Sequence, residues 1–145
     1  MVNGHILMLR DPDGTAVCNA AFDLSADQLH AAAHAAGEIR TERHRGQELS
    51  TDDVLALRAL TSVVDELDAL SAASGHTTMT MPLARMASLH DALDEWVRTR
   101  MDRGWLREAD EAAHPVVAAM LAPMGALRAD AVHATLDAHA QAPGT

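Results

Sequence analysis

The chain has no lysine and no tyrosine; all 11 of its basic residues are arginine. Schiff-base catalysis and cofactor attachment through a lysine of this chain are therefore excluded, as is chemistry carried by a tyrosine hydroxyl. Phe22, Trp96 and Trp105 are the whole aromatic set, so a stacking platform for single-stranded nucleic acid has almost nothing to be built from. Cysteine occurs once. Cys18 cannot form an internal disulfide, and its setting in TAVCNAA reads as half-buried strand in a reducing cytoplasm. No window approaches the roughly 18 to 20 consecutive apolar residues of a membrane span, and the opening MVNGHILMLR lacks the charged start and cleavage site of a secretory signal. The expectation is a soluble, cytoplasmic protein without a membrane partner.

What is present points the same way. The net charge of −10 is spread along the chain, so a polyanion is repelled by most of the surface and no nucleic-acid partner is expected. A chain of 145 residues suits a single domain, 1–145, with a core that needs no disulfide or metal to hold it. Alanine fills 30 positions, which gives helices small faces that can approach closely.

Residues 1–22 read as a β-hairpin. HILMLR and TAVCNAAF flank DPDG, in which proline suits the second turn position and Gly14 can take a positive φ. HTTMTM, residues 76–81, is a candidate third strand, because a lone hairpin is only marginally stable. The remainder, 25–141, reads as helical. Ser25 with Gln28 forms a capping box, and Ser50 or Thr51 with Asp52 and Asp53 starts a second helix. Gly46 and Gly75 mark the ends of those helices. A third helix starts at Pro82 and stops at Gly104. WLREADEAAH, PVVAAMLA and MGALRADAVHATLDAHA then read as helices punctuated by Pro115 and Pro123, with 142–145 a frayed tail. The predicted class is α+β and predominantly α-helical: a bundle with a small N-terminal antiparallel sheet, its central helix Asp52 to Ala73.

Phasing at about 100° per residue assigns the faces. In the first helix the apolar stripe is Leu29, Ala32, Ala36 and Ile39, and His30, His34 and Glu38 project away from it. In the second, Asp68 falls in the apolar sector of Leu57, Thr61 and Val64, where a carboxylate is costly unless paired. The third buries Met86, Leu89, Leu93, Trp96, Val97 and Met101, with His90 and Arg100 on the same face.

Three groups of residues carry chemistry. His30, His34 and Glu38 stand four apart, the spacing that aligns metal ligands on a helix, but a site there needs a further ligand from another helix or another chain. Their outward phase reads as a solvated face; the expectation is no metal and no cofactor. His90 with Asp68 or Arg100 is the candidate for acid–base work, since a buried histidine held by a carboxylate can be tuned. Its plainer reading is a structural hydrogen bond. WVRTRMDRGWLRE, 96–108, gathers both tryptophans and four arginines, and Trp105, Arg103 and Arg107 form a candidate partner surface. No Gly-x-Ser-x-Gly elbow and no glycine-rich phosphate loop occurs. The function expected is non-enzymatic: an interaction or structural module that self-associates as a homodimer, with room for another protein partner. The alternative is a small enzyme or ligand-binding protein with a polar pocket around Asp68, His90 and Arg100.

Overall fold

The computed structural model describes residues 3–10, 12–14, 16–45, 50–73 and 77–140. Among them eight elements follow one another: β1 (Asn3–Arg10), β2 (Ala16–Leu24), α1 (Ala26–His44), α2 (Thr51–Ala73), β3 (Thr77–Pro82), α3 (Leu83–Arg103), α4 (Glu108–Glu111) and α5 (Ala113–Ala140). The fold is α+β and mostly helical, with one three-stranded antiparallel sheet. Gly46, Gly75, His76 and the 142–145 tail lie outside the described residues.

The hairpin turns at Gly14, whose φ of 88° is the left-handed conformation glycine adopts without steric cost. β2 is the middle strand, pairing Gly4 with Phe22 on one side and Met79 with Phe22 on the other. Residues along a strand alternate between faces. Cys18, Ala20, Phe22 and Leu24 of β2, with Met79 and Met81 of β3, are buried on the face covered by helices. Leu7 and Leu9 sit opposite Asn19 and Val17 on the other face and are exposed.

The capping box that starts α1 is complete: the Gln28 amide N–H donates to Ser25 Oγ at 3.2 Å, and the Ser25 N–H donates to Gln28 Oε1 at 2.9 Å. Ser50 and Asp53 repeat it for α2. The Ser50 hydrogen bonds hold the exposed Asp53 carboxyl below its ordinary value. At the other end of α3, Gly104 closes the helix with φ 76°.

The central helix is α1, not α2. α1 buries Leu29, Ala31, Ala32, Ala35, Ala36 and Ile39, and its alanines let α2, α3, α5 and β2 close on it from several sides. α2 packs chiefly on α1 and α3 and leaves Val54 and Leu55 in solvent. Leucine marks a stripe in a sequence more strongly than alanine does, yet small residues make the closest approaches. The core continues through Leu60, Val64 and Leu67 of α2 and Met86, Leu89, Leu93 and Trp96 of α3. Met101, one turn after the buried Val97, is exposed and does not join the buried stripe.

The two prolines do not divide the last helix. Pro115 lies in the first turn of α5, where its missing N–H would have had no intrahelical partner. Pro123 lies inside, where an absent hydrogen bond and a steric clash cost about 3 kcal/mol. Val117, Met120, Met124, Leu127 and Ala131 offset that cost, forming a buried stripe that runs without a break in phase past the proline. The stretch Glu108–Ala138 is long and apolar enough to cross a membrane by length and composition. Here α5 packs along α1, α3, β1 and β2, with 28% of that window buried inside the fold.

Candidate functional site

Three helices bring ionisable side chains to one spot. α1 contributes His34 and Glu38 on successive turns, α3 contributes Arg100 near its C-terminus, and the single turn α4 contributes Asp110. The left-handed Gly104 ends α3 and turns the chain back, so that α4 comes to rest against α1. His34 Nε2 lies 2.7 Å from Asp110 Oδ1 and 2.9 Å from Glu38 Oε1. Arg100 Nη2 donates to the other oxygen of Glu38 at 2.9 Å and to Glu42 Oε1 at 2.6 Å. The two carboxylate oxygens of Glu38 thus do different things, because Oε2 is fixed by Arg100 while Oε1 is aimed at His34.

Burial makes this arrangement costly. Asp110 is 0% exposed and Arg100 is 1% exposed, while His34 and Glu38 are half-buried. Burial works against the charged form of Arg100, but hydrogen bonds and charge from Glu42 and Glu38 outweigh it, and its pKa is raised. The same contest runs at Asp110. Desolvation pushes its carboxyl up, hydrogen bonds with Glu38 and His34 and the charges of His34 and Arg100 push it down, and the net direction is down. Asp110 Oδ2 is nevertheless buried with no hydrogen-bond partner among the described residues, as are Arg100 Nε, Trp96 Nε1 and His114 Nε2. The Trp96 ring stands 6.0 Å from the His34 ring in a T-shaped contact and 5.6 Å from His114, with the Arg100 guanidinium 5.4 Å from its centroid.

Hydrogen bonding alone leaves this cluster frustrated. One imidazole N–H can point well at one acceptor, yet Glu38 Oε1 and Asp110 Oδ1 both stand at Nε2, and Asp110 Oδ2 is left without a partner among the described residues. The donor atoms of His34, Glu38 and Asp110 all lie within 4.8 Å of one another. Ligands held about 2.1 Å from an ion in octahedral array are about 3 Å apart, close to the 2.7 and 2.9 Å found here. One nitrogen and two carboxylate donors suit zinc, manganese or ferrous iron rather than a soft ion.

The cluster forms part of the wall of an open groove of about 530 Å³, which Thr41, Arg45, Asp68 and Arg107 also line. Asp68 is exposed there, not held in an apolar sector, because α2 lies to one side of the core and turns that face to the groove. Arg100 is buried behind Glu38, as its phase on α3 implies.

His90 stands apart from both. Its Nε2–H donates to the Leu121 carbonyl at 3.2 Å, and its Nδ1 accepts from Arg128 Nη1 at 3.2 Å, with Arg128 in turn paired to Asp91 at 2.6 Å. The three residues Asp68, His90 and Arg100 therefore do not converge on one pocket. The ladder on α1 also divides: His30 is exposed and bonded to Ser71, whereas His34 and Glu38 are covered by α3 and α4. Phasing against the leucine stripe places all three in water because it ignores neighbours that pack on an alanine face. Trp105 is 58% exposed, with the Arg103 guanidinium 5.4 Å from its ring centroid, and Arg107 belongs to the groove. Asp110 and Glu42 carry no signal of their own in the sequence; Glu42 merely extends the four-residue spacing of His34 and Glu38 by one step.

Comparison with family models, curated proteins and solved structures returns no match.

Proposed function

We propose that this protein binds a divalent transition-metal ion through His34 Nε2, Glu38 and Asp110, with Arg100 positioning Glu38. One observation carries the reading: a fully buried aspartate with an unpartnered oxygen joins a glutamate at a single imidazole nitrogen, 2.7 and 2.9 Å away. A cation at that point is met by both acidic side chains and supplies the missing partner. The result is a small-ligand-binding protein whose site is built from His34, Glu38, Asp110 and Arg100 and not from His90.

Trp96 provides the test, because it touches His34 and because Trp105→Phe leaves it the sole tryptophan. In untagged protein, Co²⁺ should quench Trp96 emission saturably, and Zn²⁺ or Mn²⁺ should raise the melting temperature. At 100 times Kd the stabilisation is about 2.7 kcal/mol. Both responses should vanish in His34→Ala and in Asp110→Asn and persist in His90→Ala. Failure of all three ions to bind the folded protein would end the reading.

A second reading, self-association, is favoured by the exposed Trp105 and Met101 near the end of α3 and by Leu7 and Leu9 on the open face of the sheet. Light scattering across a concentration series tests it; a mass that stays at one chain would refute it.

A further inference from the structure

Resting on the metal reading, we propose that the groove takes a second ligand: a small multivalent oxyanion that completes the coordination of the ion and is held by Arg45 and Arg107. Three protein donors grouped on one side leave positions of a six-coordinate ion open. A groove of about 530 Å³ falls within the range of sites that hold small molecules.

The arginines supply the second, independent observation. Arg40 is paired with Asp65, and Arg100 is engaged by Glu38 and Glu42. Arg45 and Arg107 line the groove, and neither makes a salt bridge or side-chain hydrogen bond among the described residues. Among the described residues both guanidinium groups are thus free to take an anion. Guanidinium is also the side chain whose fixed fork matches a carboxylate or phosphate.

Charge makes the two ligands interdependent. With Asp65 and Arg100 included as partners of groove residues, five carboxylates face four arginines when His34 is neutral. A divalent ion converts that deficit of one positive charge into a surplus of one. The groove should therefore repel a small oxyanion when empty of metal and attract it when loaded. Linkage requires the reverse effect to be equal: the anion tightens the metal by the same factor.

The experiment uses the 145-residue chain carrying Trp105→Phe, with Mn²⁺ held at buffered free concentrations and Trp96 emission as the readout. Inorganic phosphate and malonate are titrated separately, to distinguish a phosphate-bearing from a dicarboxylate ligand. The expected result is that one of them binds at least tenfold more tightly with Mn²⁺ present and shifts the Mn²⁺ midpoint by an equal factor. Arg45→Gln/Arg107→Gln should remove that coupling, while Mn²⁺ without anion still binds, at the same midpoint or a lower one because two positive charges have left the groove. If Mn²⁺ binds and neither anion is coupled to it, the anion site is refuted while the metal reading stands. Coupling that survives loss of both arginines also refutes it. If no ion binds at all, the metal reading itself fails.

Discussion

His34 and His90 are both half-buried, and each belongs to a cluster that holds an arginine and a carboxylate, yet the two surroundings differ in whether the partners balance. At His90 each ring nitrogen has one partner, a carbonyl for the donor and a guanidinium for the acceptor, and Asp91 balances Arg128. Nothing there is left over. At His34 two carboxylates compete for one nitrogen, and an oxygen of Asp110 is buried without a partner. A satisfied cluster holds helices together; an unsatisfied one beside a groove has capacity for a ligand. Proximity of a histidine to charge is thus a poor guide to function, and the count of donors against acceptors is a better one.

The contrast can be broken most forcefully at Arg100. Arg100→Met keeps the side-chain volume and leaves Glu38 and Glu42 without their shared cation, so it should cost about 3 kcal/mol, the low end for breaking a buried pair because both glutamates reach solvent. In thermal unfolding this amounts to a fall of about 10 °C in Tm for a chain of this size. A change below about 2 °C would show that the cluster contributes little to holding α1 against α3.

Asp110→Asn comes next, at about 1 kcal/mol near neutral pH, and its signature is pH dependence. The Asp110 pKa is lowered in the folded state, so the stability it contributes is fully present above the ordinary value of 3.8 and is lost as pH falls through the folded value. Urea melts of the wild type and the variant should therefore differ at pH 6 and converge on acidification below pH 3.8. A gap that is constant with pH would mean that charge at this position is irrelevant.

Much of this architecture is legible in the chain because it rests on local rules. The Ser25 capping box, the turn at Gly14, the stop at Gly104 and the alternation of Met79 and Met81 each follow from neighbours in sequence. The site is less legible because it depends on packing. Asp110 comes within 2.7 Å of His34 across 76 residues, and α1 has alanine on several faces, so its periodicity does not say which sides are covered. Arg100 could be read as buried, since α3 has one clear stripe; its partners Glu38 and Glu42 could not. Pro123 misleads for a related reason: the apolar stripe on both sides of it outweighs the local rule that proline ends a helix.

His90→Ala tests the satisfied cluster and should cost about 1 kcal/mol, because it removes a hydrogen bond to Leu121 and frees Arg128 to remain with Asp91. Metal binding should be untouched. An altered Mn²⁺ midpoint in this variant would undo the distinction between the two histidines.

The smallest effect is expected at Gly125, where a methyl group would meet His90 Nε2 at 3.3 Å and Cε1 at 3.4 Å. Alanine inside a helix gains up to about 1 kcal/mol over glycine. Against this, the His90 ring must give by a few tenths of an ångström, and it is held from both sides by Leu121 and Arg128. The two terms nearly cancel, so Gly125→Ala should change stability by less than about 0.5 kcal/mol. In the background of His90→Ala the ring is gone and the full helical gain should emerge. A double-mutant cycle measures the difference directly, with an expected coupling of about 0.5 to 1 kcal/mol. Additive effects would show that the ring does not rest on Gly125 tightly enough to matter.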